Sequence, residues 1–209
     1  MAGSQQAQFE WVGGSTVLDF TNTVTWAPAG LENERLNHYV DLVDWAQAAG
    51  VLSGAEGDRL KIVAAASPAR AEEAIGQARR LREVLHDVLM TVSTGRTPSA
   101  QVVSRLDAAL AQAVSRLTLR LEGDKWVWGW RHLDDDDLTD LLHPMAWEAA
   151  QLLASDERQY LKHCAADDCG WLFLDRSRNH ARRWCDMKVC GNNAKARRYY
   201  HRHKEPAES

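Results

Sequence analysis

Four cysteines lie in one short segment near the C-terminal end of the 209-residue chain. They form two pairs of equal spacing, Cys164-x4-Cys169 and Cys185-x4-Cys190, and the first 163 residues contain none. Thiolates spaced in this way converge on one tetrahedral ion at about 2.3 Å when the chain between them turns tightly. Because no cysteine lies outside the cluster, four unrelated buried thiols are disfavoured. The sequence therefore predicts one structural Zn²⁺ per chain, held by Cys164, Cys169, Cys185 and Cys190.

The residues around the cysteines agree with a metal-binding turn. Gly170 and Gly191 follow the second and fourth cysteines, where tight turns favour glycine. Residues 171–175 have the pattern of a strand, and residues 194–200 have the composition of a helix. A knuckle, a hairpin and then a helix beginning at the last cysteine pair is the arrangement of a treble-clef finger.

Charge is divided unevenly along the chain. Residues 162–204 carry 11 Lys and Arg against 4 Asp and Glu, a balance of +7, so the remainder of this chain of net charge −4 carries −11. Such asymmetry favours a basic part that meets a polyanion. The N-terminus has no apolar leader and no apolar run of membrane-spanning length occurs, so we expect a cytoplasmic protein that is neither exported nor membrane-spanning.

The cysteine segment also resembles a known family. Residues 164–175 (CAADDCGWLFLD), 182–187 (RRWCDM) and 190–192 (CGN), together with Lys195, are similar to the CGNR-type zinc finger, whose name comes from a Cys-Gly-Asn-Arg motif. The chain departs from that motif at its last position, where Asn193 replaces the arginine. The similarity spans nearly all of residues 161–202.

Upstream segments resemble the ABATE domain, which is usually joined to this finger. They are residues 18–23 (LDFTNT), 41–46 (DLVDWA) and 81–83 (LRE). The resemblance implies a bacterial regulator of stress-induced transcription. We therefore expect a regulator that binds nucleic acid, most simply duplex DNA, through its finger; a homodimer is left open.

A basic face is the expected contact surface for nucleic acid, because phosphates are bound by Arg and Lys. Its candidate residues are Arg176, Arg178, Arg182, Arg183, Asn192, Lys195, Arg197, Arg198 and Arg202. One alternative is that this face docks on the acidic N-terminal domain, which would make the finger a zinc-stapled protein-interaction module. A further alternative is a treble-clef nuclease that uses His180 with Asn193 or His201. No acidic metal ligand is evident beside them, so we expect no enzyme.

The N-terminal part reads as mostly helical. Apolar residues recur at helical spacing over 36–49, 68–95, 99–115 and 138–153, with Pro144 expected to kink the last of these helices. Alternating residues over 117–130 predict a β-hairpin, with Trp126, Trp128 and Trp130 as its core rather than a ligand cage. We therefore predict a mostly α-helical fold with a small β-hairpin: a helical domain over 1–156, the treble-clef zinc finger over 157–204 and a disordered tail over 205–209.

Polar residues bounded by tryptophans suggest a small-molecule effector site in the first domain. The candidates are Asp19, Asn22, Thr23, Trp26 and Arg82. The alternative for the same residues is a buried salt bridge and capping network without a ligand.

Overall fold

The computed structural model describes residues 9–131 and 136–204, the side chains of Arg198 and residues 201–204 excepted. The tail predicted over 205–209 lies outside the described residues. The helices are α1 (Thr16–Thr21), α2 (Tyr39–Ala48), α3 (Gly54–Ala66), α4 (Pro68–Ser93), α5 (Ala100–Arg116), α6 (His143–Ala154) and α7 (Asn192–Lys204). The strands are β1 (Thr25–Ala27), β2 (Gly30–Glu32), β3 (Leu117–Glu122), β4 (Lys125–Trp130), β5 (Leu161–His163) and β6 (Leu172–Leu174). Each strand pairs with its neighbour in sequence as an antiparallel hairpin. The predicted fold class is confirmed.

Helix α4 is the centre of the core. Its buried stripe includes Ile75, Ala78, Leu85 and Leu89, which recur at the three- and four-residue spacing of one helical face. It contacts helices α1, α2, α3, α5 and α6 as well as strands β5 and β6. Among the described residues, no helix is long and apolar enough to cross a membrane.

One local prediction in the helical domain needs correction, and one helix was not predicted. Pro144 lies in the first turn of α6, where backbone N–H groups have no hydrogen-bond partner within the helix. Proline is therefore tolerated there, and Pro144 begins the helix instead of kinking it. A short 3-10 turn, Asp140–Leu142, precedes it. Helix α3 was not predicted from its weak apolar stripe. Its start carries a readable signal, because Ser53 and Glu56 form a reciprocal capping box.

The β3–β4 hairpin has the predicted register, with Leu119 opposite Trp128 and Leu121 opposite Trp126. The expectation that its tryptophans form a core is wrong for two of them. Trp126 is 66% exposed and Trp128 is 61% exposed, because no element of the described structure covers the outer end of this sheet face.

The zinc-finger segment is built into the helical domain. Leu161, Leu172 and Leu174 from strands β5 and β6 belong to the same buried cluster as Leu18 and Leu85. A second cluster joins the cysteines to Trp171 and Phe173, with Val12 and Trp26 of the first domain packed against it. The finger therefore shares its core with the helices.

Candidate metal centre and its surroundings

The four cysteine sulphurs converge at one point. All four Sγ atoms lie within 4.8 Å of one another. The Sγ atom of Cys185 lies 3.5 Å from the Sγ atom of Cys169 and 3.5 Å from that of Cys190. Tetrahedral zinc–thiolate coordination at about 2.3 Å places sulphurs about 3.8 Å apart, so the donor set fits the ion. None of the four forms a disulfide. The predicted cofactor is confirmed as one structural zinc site of four cysteines.

Local turns place the ligands. Cys164 follows strand β5 and donates its N–H to the carbonyl of Trp171 at 2.8 Å. Gly170, directly after Cys169, has a φ of +67°, a conformation that glycine adopts without strain. Cys190 lies in a π-helical turn, Met187–Gly191, whose start is capped by the side chain of Asp186. These turns return the chain to the sulphur cluster twice.

Asp175 organises the loop between the two cysteine pairs. Its buried carboxylate accepts hydrogen bonds from Lys162 Nζ and Ser177 Oγ, both at 2.6 Å, and from the N–H of Arg182 at 2.9 Å. Burial alone would raise the pKa of Asp175, but these hydrogen bonds outweigh it and hold that pKa well below its usual range. The loop is thereby fixed around a buried negative charge.

Part of the predicted basic face is occupied by contacts within the protein. Arg182 lies 4.1 Å from the ring centroid of Phe173 and donates to the carbonyls of Trp184 and Val12. Arg176 pairs with Glu157 at 2.9 Å, and Arg197 pairs with Asp168 at 2.6 Å. Asn192 donates its side-chain amide to the carbonyl of Lys188.

Other basic candidates face solvent. Arg178, Arg183 and Lys195 are exposed. Arg183 and Arg197, which are far apart in sequence, line one hollow of about 320 Å³ together with Trp184. The side chains of Arg198 and Arg202 lie outside the described residues. Two arginines of the finger therefore share one concave surface, which Asp167 also lines.

Asn193, which stands in place of the family arginine, lines a different cavity of about 240 Å³ between the finger and the first domain. The ligands Cys185 and Cys190 and the side chain of Arg35 line it as well. Arg35 lies 5.1 Å from the ring centroid of Trp171 and pairs with Glu10. A guanidinium is thus present in this cavity, contributed by the first domain.

The predicted effector residues mostly join the two parts of the chain. Asn22 pairs with both backbone polar groups of Leu172 in the finger, at 2.9 Å each. Asp19 accepts the N–H of Gly13 at 2.8 Å, and burial raises its pKa to about 6 despite that bond. The backbone N–H of Trp26 donates to the carbonyl of Cys169 in the finger. Binding of an effector by these residues stays a prediction.

Arg82 is fully buried in helix α4, and its charge is balanced by the side chain of Glu34. It also donates to Thr23 Oγ1 at 2.9 Å. Burial alone would raise the pKa of Glu34, but the hydrogen bonds and charge of Arg82 outweigh it, so that pKa is lowered. The salt-bridge partner of Arg82 is thus Glu34.

His86 was missed by the sequence analysis. Its ring stacks on Trp26 with centroids 3.7 Å apart, and its Nε2 lies 3.0 Å from the Gly170 carbonyl. Burial lowers the pKa of His86 to about 4, so the ring is neutral and donates that hydrogen bond near neutral pH. No local pattern signals this contact, because His86 and Gly170 are 84 residues apart.

Two models of known protein families match the chain. The model of the CGNR zinc finger matches residues 160–203. A second model, ABATE, described as "Putative stress-induced transcription regulator", matches residues 14–156, which is more than half of the chain. The chain belongs to the ABATE family. The predicted resemblance to the two families is thus confirmed. In this ABATE protein, residues of the family domain and of the finger belong to one hydrophobic core. No curated protein matches the chain.

Proposed function

We propose that this ABATE protein binds duplex DNA through its finger and thereby regulates transcription. The observation that carries the proposal is the hollow of about 320 Å³ that Arg183 and Arg197 share. Arg183 precedes the third zinc ligand and Arg197 lies on α7, so the metal-stapled fold brings two distant guanidinium groups to one concave surface. Guanidinium groups bind phosphate oxygens in pairs of hydrogen bonds.

The ion pair of Arg197 does not oppose this role. Arg197 is 45% exposed and its partner Asp168 is 59% exposed. Exposed ion pairs contribute about 0–1 kcal/mol to stability, so a DNA phosphate replaces the carboxylate of Asp168 at little cost. The net charge of +7 over residues 162–204 favours the approach of DNA.

Helix α7 also carries exposed aromatic groups, of which Tyr200 lies three residues after Arg197, whereas Tyr199 lies on the side of the helix away from Arg197. Tyr199 and Tyr200 are 61% and 70% exposed, and their rings contact each other edge to face. Lys195 is exposed one turn before Tyr199 on the same helix. Exposed tyrosines beside cations donate hydrogen bonds to phosphate or stack on sugar and base.

The contacts of His180 favour a structural role over a catalytic one. The ring of His180, the candidate nuclease histidine, stacks on Tyr160 at 4.5 Å, and its Nδ1 lies 2.8 Å from the Asp175 carbonyl. These contacts support a role for His180 in holding the loop between the cysteine pairs. His201 lies outside the described side chains.

Binding to a mixed-sequence duplex, followed by fluorescence anisotropy over a range of salt concentrations, tests the proposal. We expect Arg183→Glu/Arg197→Glu to weaken binding at least about tenfold and to lower the salt slope by roughly two, since each lost phosphate contact removes about one from that slope. The matched control, Arg80→Glu/Arg105→Glu, makes the same charge change at exposed positions of α4 and α5. Zinc content should equal that of the unchanged protein in both variants.

Two results would overturn DNA binding: no measurable affinity of the unchanged protein at low salt, or an equal loss in the two double variants. Either would favour the zinc-stapled protein-interaction module, whose binding to a partner protein does not follow the counterion-release relation.

A further inference from the structure

The β3–β4 hairpin has one apolar face and one charged face. Strand partners that lie directly opposite share a face, and successive residues alternate between faces. The apolar face therefore carries Leu117, Leu119, Leu121, Trp126, Trp128 and Trp130, whereas the charged residues Arg120, Glu122 and Lys125 belong to the other face.

The outer half of the apolar face is exposed to solvent. Leu119, Leu121, Trp126 and Trp128 are 52%, 57%, 66% and 61% exposed. We refer to these four residues as the hairpin patch. A tryptophan side chain presents up to about 250 Å², and more than half of each of the four residues is exposed. Together they therefore expose roughly 500 Å² of apolar surface. Continuous apolar patches of this size on a single chain mark interaction sites.

The hairpin also has little other support. In the described part of the chain, β3 and β4 form a two-stranded sheet without a third strand. On the patch side, Trp128 touches Trp147 of helix α6 edge to face, with centroids 6.2 Å apart. An isolated two-stranded hairpin is marginally stable in water, so burial of this face would stabilise it.

We propose that the hairpin patch is a homodimer interface, in which the patch of one copy packs against the patch of a second. The patch contains no charged residue, so it meets itself without like-charge repulsion. Its two cross-strand rows each place a leucine opposite a tryptophan. A two-fold axis parallel to the strands would therefore set the leucine strand of one copy against the tryptophan strand of the other.

The available area suits a second copy. Two patches would bury about 1,000 Å² in total, the lower bound for a specific protein–protein interface, before any contribution from flanking residues. The charged residues Arg120, Glu122 and Lys125 stay in solvent on the opposite face. This inference does not rest on DNA binding, because the hairpin lies outside the finger.

Sedimentation equilibrium of the zinc-loaded full chain tests the interface. We expect a mass near twice the 23.4 kDa of one chain, with dissociation on dilution. Leu121→Glu should raise the dimer dissociation constant by roughly 100-fold or more, because each dimer would bury two unpaired carboxylates. The control is Lys125→Gln, which changes an exposed residue of the charged face without placing a like charge opposite Glu122.

Trp126→Ser, which removes apolar area without adding charge, should also weaken the dimer and keeps the test decisive if Leu121→Glu unfolds the hairpin. Zinc content and far-ultraviolet circular dichroism report on folding. A single-chain mass for the unchanged protein at every concentration overturns the proposal. So does a dimer that persists in folded Leu121→Glu or Trp126→Ser, or one that dissociates equally in Lys125→Gln.

Discussion

The side-chain amide of Asn22 pairs with both backbone polar groups of Leu172, donating to its carbonyl and accepting from its N–H at 2.9 Å each. Asn22 thus acts as a strand neighbour for β6. The two residues are 150 positions apart and both are buried. This contact joins the ABATE domain to the finger at a point where water cannot substitute for it.

We expect Asn22→Ala to lower the free energy of unfolding by about 2–4 kcal/mol, because it leaves two buried backbone groups without partners. Denaturant unfolding of the zinc-loaded protein measures the change. Asn37→Ala, which alters an exposed asparagine, should cost far less. If Asn22→Ala instead leaves ligand-free stability intact and abolishes stabilisation by an effector, the predicted effector site is supported.

Gly170 and Gly123 provide a matched pair of glycines with φ values of +67° and +65°. An added Cβ at Gly170 would lie 2.5 Å from the carbonyl oxygen of Trp26, whereas Gly123 has no atom within 4 Å of that position. Gly123→Ala should therefore cost only about 1 kcal/mol of backbone strain. Gly170→Ala should cost about 3 kcal/mol or more, because overpacking adds to the strain. Equal losses in thermal unfolding would disprove the close approach.

The neutral His86 ring makes stability depend on pH. The pKa of His86 is 6.5 in the unfolded chain and about 4 in the folded one. Between pH 6.5 and about pH 4 the unfolded state therefore binds more protons than the folded state. The stability of the fold decreases as the pH falls through this range. His86→Phe keeps a ring beside Trp26 but cannot titrate. The stability advantage of the unchanged protein over this variant should shrink by about 2 kcal/mol from pH 7 to pH 5.

Urea unfolding at several pH values measures that difference. Asp19, whose pKa is raised to about 6, contributes with the opposite sign in the same range, but it is present in both proteins and cancels. A difference between the two proteins that does not change with pH would show that His86 is not buried as a neutral donor.

Zinc removal should unfold more than the finger. Elemental analysis should find about one zinc per chain, and Cys164→Ser should lose it because three thiolates do not complete the tetrahedral site. Ala165→Ser places the same side chain at an exposed neighbouring position and should retain zinc. Helical circular dichroism should melt at a lower temperature in Cys164→Ser than in Ala165→Ser. Equal melting temperatures would contradict a shared core.

The zinc site was predictable because its signal is local: four cysteines in two equally spaced pairs with glycines at the turns. The helices with strong apolar stripes were predictable for the same reason. The contact of Asn22 with Leu172 was not predictable from the sequence. An asparagine followed by a threonine is equally compatible with a helix cap, a ligand-binding group or a hydrogen bond to a distant segment. Exposure of Trp126 was also missed, because alternation shows which residues share a face and not whether anything covers it.

The leucines of β5 and β6 lie in the same core as those of the ABATE domain, and this arrangement makes the metal a determinant of the protein's lifetime. When zinc is withheld, the strands that carry Leu161, Leu172 and Leu174 lose the turns that hold them, and the apolar surface of α4 beneath them opens to proteases. We therefore expect metal supply to set how much of the protein persists in a cell, because a chain without zinc would expose part of the core that both segments share.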